Sequence, residues 1–174
     1  MAKIGIFYGS DTGHTEEAAQ LMQDLLGTDQ TDLFDVRNVT DTSIISKYDL
    51  IIIGTSTWYL GEIQEDMDDF KTKLDDVDFS GKTVALFGLG DQEQYGDYYL
   101  DGMGKMHEFL KAKGAKFIGS WPVDEYKFAS TLSLVDDGKK FCGLALDEDN
   151  QPDMTPDRIA LWIEQIKKEA NIKE

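Results

Sequence analysis

The chain has 174 residues, and 41% of them are hydrophobic, which is enough to build the core of one domain without disulfides or structural metal ions. Its 17 basic and 34 acidic residues give a formal net charge of −17. Such a charge argues against nucleic acid and anionic membranes as partners and favours proteins with basic surfaces, although solubility alone would also explain it. We expect a single domain over residues 1–174.

Two local features bear on the compartment. The continuous apolar stretches, such as residues 50–53, are too short to cross a bilayer, and the N-terminal residues do not resemble a signal peptide. Cys142 is the single cysteine, so the chain cannot form an internal disulfide or a zinc or iron–sulfur site built from several thiols. We expect a cytoplasmic protein in which Cys142 is a small buried apolar side chain rather than a reactive thiol.

Short apolar runs alternate along the chain with segments of helical period, a pattern typical of α/β proteins with a parallel sheet. Five strands are predicted at residues 4–8, 33–39, 50–55, 83–89 and 116–120, the last of them resumed at residues 144–146. Apolar side chains at helical spacing predict helices around residues 18–25, 67–74, 99–110 and 159–166. We expect a doubly wound five-stranded parallel sheet of order 2-1-3-4-5 with helices on both faces.

Two of these helices carry end signals. Gly27 is placed to end the first helix, because glycine is the residue most often found just beyond a helix C-terminus. Thr155 is the expected N-cap of the last helix, with Pro156 at its first helical position. Ligands of doubly wound sheets bind beyond the carboxyl ends of the strands, so the loops at those ends are the candidate site.

The loop after the first strand runs directly into the first helix. Its residues offer hydroxyls and backbone amides at a helix N-terminus, which is an anion site; they are Ser10, Asp11, Thr12, Gly13, His14 and Thr15. The loop lacks the Gly-Lys-Ser/Thr ending of a triphosphate loop and the G-x-G-x-x-G spacing of dinucleotide folds. A phosphate monoester fits it better, although such a loop serves as a simple helix cap about as often.

The loops after the third and fourth strands each carry an aromatic residue. Trp58 has no core role at this end of the sheet and offers a flat face to a ligand, and Tyr95 offers a second one. Either ring alone would be consistent with ordinary loop packing. A phosphate loop and two aromatic loops at three neighbouring strand ends together favour a flat ligand that carries one phosphate.

These three loops resemble those of the flavodoxin family. Residues 10–15 are similar to its T/S-x-T-G-x-T phosphate signature, residues 57–62 to its T-W-x-x-G-E loop, and residues 88–95 to its G-x-G-D-Q-x-x-Y loop. The resemblance covers essentially the whole chain. Residues 122–143, inserted into the fifth strand, look like the extra loop of the long-chain class, and the details after Trp58 look most like the second flavodoxin type of enteric and related bacteria.

The resemblance implies one non-covalently bound FMN, with residues 10–15 on its phosphate and Trp58 and Tyr95 on either face of the isoalloxazine ring. It implies backbone contacts near Gly90, Asp91 and Tyr98 to the pyrimidine edge, and the Tyr59–Leu60 peptide beside the flavin N5. The other residues that it assigns to the cofactor are Thr55, Ser56, Thr57, Gly61, Gly88, Leu89 and, on the ribityl chain, Asp149. His14 and Leu100 depart from the residues expected at their positions, and both would tune FMN binding rather than prevent it.

The implied function is that of a low-potential one-electron carrier, not an enzyme. Its implied partners are basic-surfaced redox proteins, such as a flavodoxin/ferredoxin-NADP reductase, and acceptor enzymes, and we expect a monomer. The alternative is an NAD(P)H-dependent quinone reductase of the same fold, but no nicotinamide site is recognisable. A response-regulator receiver is disfavoured because Gly54 and Thr55 stand where it needs an aspartate.

Overall fold

The computed structural model describes residues 3–172, in which strands and helices alternate along the chain as the sequence predicts. The strands are β1 Ile4–Tyr8, β2 Thr31–Asp35, β3 Leu50–Trp58, β4 Glu62–Ile63, β5 Thr83–Leu89, β6 Lys116–Ile118, β7 Trp121–Pro122, β8 Leu134–Val135, β9 Lys140–Phe141 and β10 Leu144–Leu146. The α-helices are α1 His14–Leu26, α2 Glu65–Lys73, α3 Asp101–Ala112 and α4 Thr155–Glu169. None of the helices within residues 3–172 is long and apolar enough to cross a bilayer.

The central sheet has the order β10-β5-β3-β1-β2, and the strands of this path all pair in parallel. The fifth position is shared by two short strands, because β6 pairs with the first half of β5 and β10 with its second half. This is the expected order 2-1-3-4-5, with the predicted interruption in the fifth strand.

The helices cover both faces of the sheet. On one face α1 and α4 bury side chains such as Met22 and Trp162, and on the other face α2 and α3 bury Phe70 and Met106. The strands between them are apolar on both sides, as strands covered on both faces must be. The apolar stripes identified in the sequence therefore belong to the core.

The insertion is an ordered small sheet rather than an irregular loop. It occupies residues 119–143 and contains three antiparallel strands in the order β7-β9-β8. Phe141 and Tyr126 pack with the core on the α3 face. Cys142 lies beside them, 3% exposed, so it is buried as we expected, and burial raises the pKa of its thiol to about 12.

Three strands differ from their predicted bounds. The first part of the fifth strand, predicted at residues 116–120, ends at Ile118. The prediction for the second strand, residues 33–39, is too late: β2 ends at Asp35, whose carboxylate accepts a hydrogen bond from the Arg37 N–H and begins a 3-10 helix. The third strand extends to Trp58 instead of residue 55, because Thr57 and Trp58 pair with the antiparallel β4. The third strand therefore continues into the predicted site.

Two helix starts are also corrected. Tyr99 lies before α3 rather than in it, because Leu100 adopts a left-handed backbone with φ 59° and breaks the helical path. Thr155 does not cap α4: it is the first helical residue, and its buried hydroxyl has no hydrogen-bond partner. Gly27 does end α1, and its N–H donates to the Gln23 carbonyl.

Candidate functional site

A cleft of about 380 Å³ lies at the carboxyl ends of β1, β3, β5 and β10, where doubly wound sheets bind their ligands. Most of its lining comes from the three predicted loops and the segment after β10. The lining residues are Thr12, His14, Thr15, Ser56, Thr57, Trp58, Tyr59, Leu89, Gly90, Asp91, Gln94, Tyr95, Glu148 and Asp149. Among them, Gln94 and Glu148 were not assigned from the sequence.

One end of the cleft is the N-terminus of α1. Gly13 precedes the helix with φ 93°, a left-handed conformation that glycine adopts without strain. Its N–H donates to the Ser10 hydroxyl at 3.0 Å, which closes the loop on itself. The first amides of a helix have no partner within it, so those that follow Gly13 are available to an anion, with the positive end of the helix dipole behind them.

Gln64 ties this loop to α2. Its side-chain amide donates to Asp11 Oδ1 and to Asp66 Oδ2, both at 2.9 Å, and its Oε1 accepts from the Met67 N–H at 2.9 Å. Gln64 is fully buried, and a β-carbon on Gly9 would collide with its Oε1 at 2.1 Å. Asp11 therefore positions the loop and does not line the cleft. Sequence reasoning missed Gln64, since a lone glutamine before an acidic helix carries no signal of such a role.

Trp58 enters the cleft from a short hairpin. Thr57 and Trp58 pair with Ile63 and Glu62, and the Trp58 indole N–H donates to the Ser56 hydroxyl at 2.8 Å. In the turn of this hairpin Tyr59 has φ 48° and is 74% exposed. The hairpin orients the tryptophan, while the turn beyond it is open to solvent.

Tyr95 enters from a loop that Asp91 organises. The Asp91 carboxylate accepts from the backbone N–H groups of Glu93 and Gln94 and from the Asn150 side-chain amide, at 2.8 to 3.1 Å. Burial acts to raise the pKa of Asp91, but these hydrogen bonds outweigh it and hold the pKa below its usual value. The Asp91 carboxylate is thus committed to its own turn, which leaves backbone groups to face the cleft.

Asp147 joins the Tyr95 loop to the segment after β10. This side chain is fully buried, and its Oδ2 accepts from the backbone N–H and side-chain amide of Gln92 and from the Asn150 side-chain amide. Its Oδ1 accepts from the backbone N–H groups of Asp149 and Asn150. A carboxylate used in this way is an internal anchor and is not part of an acidic docking surface.

Asp149 and His14 bring charge to the same part of the cleft. Burial raises the pKa of Asp149, and the nearby carboxylates of Asp91 and Asp147 raise it further. His14 opposes this effect on the pKa of Asp149, so the imidazole lies within electrostatic reach of the Asp149 carboxylate. The site therefore pairs an exposed imidazole on α1 with an acidic segment after β10.

Some predicted site residues lie outside this cleft. Thr55 is buried and donates its hydroxyl to the Ser56 carbonyl, and Gly88 lies within β5 against Leu100 and Met103. Leu60 and Tyr98 line a neighbouring groove that shares Tyr95 with the cleft. The remaining four are Ser10, Asp11 and Gly13 in the first loop, described above, and Gly61, which is buried against Asp101.

The cleft combines the two features that binding of an aromatic phosphate monoester requires, an anion site and flat apolar surfaces. Free helix amides stand at one end, and two aromatic side chains line the same cavity. No group of three His, Cys, Asp or Glu side chains able to hold a metal ion occurs within residues 3–172. The arrangement is built to hold a flat anionic ligand by backbone amides and stacking.

Comparison with known proteins agrees with this site. Residues 6–162 match the family described as Flavodoxin. The chain is 44% identical to Flavodoxin 1 of Escherichia coli K12, in an alignment that covers 100% of this chain and 98% of that protein. It is 46% identical to Flavodoxin 2 of the same strain, in an alignment that covers 95% of this chain and 95% of that protein.

A solved structure extends the comparison. The crystal structure of Fusobacterium nucleatum flavodoxin bound to flavin mononucleotide superposes with a TM-score of 0.88 at 37% identity, covering 97% of this chain and 99% of that one. Family match, full-length relatives and shared architecture agree. The chain belongs to the flavodoxin family.

Proposed function

We propose that this chain binds one FMN non-covalently in the cleft and carries single electrons between a reductase and acceptor enzymes. One observation carries the proposal: the open N-terminus of α1, which follows Gly13, lies in the same cleft as the aromatic side chains of Trp58 and Tyr95. Membership of the flavodoxin family and the FMN named for the Fusobacterium nucleatum structure support it.

The phosphate is assigned to the first loop. The amides that follow Gly13 and the hydroxyls of Ser10, Thr12 and Thr15 would hold it, with His14 at the rim. Backbone amides contribute most of such a site, so histidine in place of an amide or lysine side chain changes the affinity without removing the site. Asp149 would face the ribityl chain.

The ring is assigned to the aromatic residues. Trp58 and Tyr95 would stack on its two faces, and backbone groups of Gly90, Asp91 and Tyr98 would meet its polar edge. When bound, FMN supplies one-electron chemistry. Stacking on both faces would leave no room for a substrate above the ring, so Trp58 and Tyr95 would hold the ring and exclude hydride transfer to a small molecule.

The acidic side chains supply the electrostatics. A formal charge of −17 disfavours extra negative charge in the cleft, which lowers the reduction potential, and it attracts basic partner surfaces. A flavodoxin/ferredoxin-NADP reductase and acceptor enzymes are the proposed partners. A monomeric single domain of the long-chain class, located in the cytoplasm, is part of the same proposal; the ordered insertion at residues 119–143 supports the class.

The identity of the flavin tests the proposal. Chromatography of the flavin released from the purified protein should give FMN, because the first loop closes over a terminal phosphate and offers no second site for adenosine monophosphate. Equal recovery of FAD, or a protein that takes up no flavin, would contradict it.

Steady-state turnover separates the carrier from a quinone reductase. With NADPH and a quinone but without an added reductase, the carrier should show no appreciable turnover, and addition of a flavodoxin reductase should start it. Turnover by the chain alone would assign it to the enzyme class instead.

A further inference from the structure

The turn between β3 and β4 forms part of the cleft wall yet has little internal support. Tyr59 has φ 48° and Gly61 has φ 86°, so two of the three turn residues are left-handed. The side chains of Tyr59 and Leu60 are 74% and 69% exposed and therefore provide little packing. A turn of this kind keeps one conformation only if neighbouring elements hold it.

The first turn and a half of α3 provides that support. The Gly102 N–H donates to the Thr57 hydroxyl at 2.9 Å, and Lys105 Nζ donates to the Gly61 carbonyl at 2.6 Å. The Asp101 carboxylate packs against Gly61, where an added β-carbon would lie 2.9 Å from Oδ2. Residues 101 and 105 share one helix face, so the lysine and the aspartate meet at the same glycine.

The Lys105 contact differs from an ordinary surface lysine contact. Gly61 is buried, and Asp101 is only 8% exposed and accepts a hydrogen bond from the Ser130 hydroxyl of the insertion. A cationic donor on a partly desolvated carbonyl makes a stronger hydrogen bond than a neutral donor in water. The ammonium donates to the Gly61 carbonyl and lies within electrostatic reach of the Asp101 carboxylate.

We propose that Lys105 is a positioning residue for the flavin site: by fixing the Gly61 carbonyl, it holds the turn that carries Tyr59 and follows Trp58. The inference rests on the proposed function for its effect on FMN, but the tether itself exists with or without the cofactor. Lys105 touches the turn and not the cleft, since it is absent from the cleft lining.

The test compares Lys105→Met, Lys105→Arg and Lys111→Met in the protein as purified. Lys105→Met removes the donor and the charge, and Lys105→Arg keeps both. Lys111→Met removes the same charge from the last turn of α3, about 9 Å further along the helix axis. The readouts are the FMN release rate at low and high salt and amide hydrogen exchange in residues 58–63.

Lys105→Met should release FMN about threefold to tenfold faster, the ratio expected for loss of one ordinary hydrogen bond. High salt should not abolish this difference in release rate, because salt screens a direct hydrogen bond from Lys105 to Gly61 much less than it screens a distant charge. Residues 58–63 should exchange faster, while Lys105→Arg should restore both readouts and Lys111→Met should match wild type.

Wild-type release and exchange in a folded Lys105→Met variant would overturn the proposal. An equal effect of Lys111→Met would overturn it as well, because the cause would then be charge alone. Visible absorbance of the wild-type sample reports separately on the proposed function. If that sample holds no flavin, hydrogen exchange still decides whether Lys105 tethers the turn.

Discussion

Trp58 and Tyr95 line the same cleft, but their backbone segments are held by different kinds of contact. The Tyr95 loop is tied to the interior through Asp91, Asn150 and the fully buried Asp147. The Trp58 hairpin has only two strand pairs and continues into an exposed turn held from α3. Buried polar networks are costly to disturb, whereas an exposed turn is easily deformed, so we expect a rigid wall at Tyr95 and a deformable one beyond Trp58.

The largest expected effect comes from breaking the rigid wall at its centre. Asp147→Asn replaces a carboxylate that accepts hydrogen bonds from Gln92, Asp149 and Asn150. The new side-chain amide would place its own N–H groups against the N–H donors of those residues. We expect the free energy of unfolding to fall by about 2 to 4 kcal/mol. Urea denaturation measures it, with Glu148→Gln as the control on the adjacent residue. Equal stability of the two variants would show that the network does not hold the loop.

The aromatic side chains themselves should matter next. Trp58→Ala and Tyr95→Ala should each weaken FMN binding by about 0.5 to 1.5 kcal/mol beyond the lost area burial. The loss should be greater for Trp58, whose indole also holds the Ser56 hydroxyl. Because electron-rich rings disfavour the fully reduced flavin, the second one-electron potential should rise in both variants. Fluorescence titration and redox titration measure the two effects, and unchanged values in both variants would exclude stacking on these rings.

The same contrast explains what the sequence predicted well. β1 and β5 have the predicted bounds, because short apolar runs that are covered on both faces favour buried strands. The first loop was located by its place between the first strand and the first helix and by its hydroxyl-bearing residues, and in the structure Gly13 adopts a left-handed backbone just before α1. These local signals located the three loops, because strand ends are visible in a single sequence, and the resemblance to flavodoxins assigned most of the individual cleft residues.

Other features depend on contacts between distant parts of the chain. The roles of Asp147 and Gln64 come from partners more than fifty residues away, Gln92 for the former and Asp11 for the latter. The early end of β2 depends on the Asp35 side chain capping a 3-10 helix, and the start of α3 on a strained Leu100. Propensity and periodicity do not report on such contacts, because each involves a single side chain and no repeat.

The carboxylates that follow the Trp58 hairpin should tune the second one-electron reduction potential of the bound flavin. Glu62, Glu65, Asp68 and Asp69 are exposed, whereas Asp66 is held by Gln64 and lies 3.8 Å from Arg37, so the exposed four are the effective set. At about 12 Å and an effective dielectric of ~40, each charge contributes ~0.7 kcal/mol, or about 30 mV, before screening. Neutralising the four to Gln and Asn should raise the second potential by tens of millivolts and slow electron transfer from a basic reductase at low salt.

A control separates this effect from general charge. Asp75 and Asp76 lie in the turn after α2, on the connection to the first residue of β5 and so at the end of the sheet away from the cleft. Their replacement by Asn should shift the potential much less per charge removed. Redox titration and stopped-flow rates across a salt series measure both variants. If neutralising the four exposed carboxylates after Trp58 changes neither the potential nor the rate, those carboxylates only stabilise the start of α2.

The smallest expected effect concerns His14 at the rim. His14→Asn should change FMN affinity only slightly, because backbone amides contribute most of the phosphate site. Fluorescence titration of both proteins measures the affinity, and a loss as large as that of Trp58→Ala would contradict this ranking.

A redox titration of the purified protein, followed by its visible spectrum with no reductase present, tests the central claim most directly. A one-electron carrier predicts a bound flavin that takes up its electrons in two resolved steps, the second at a clearly lower potential. That second step should move upward when the exposed carboxylates after Trp58 are neutralised. A single two-electron step, or a protein without a flavin spectrum, would contradict the account.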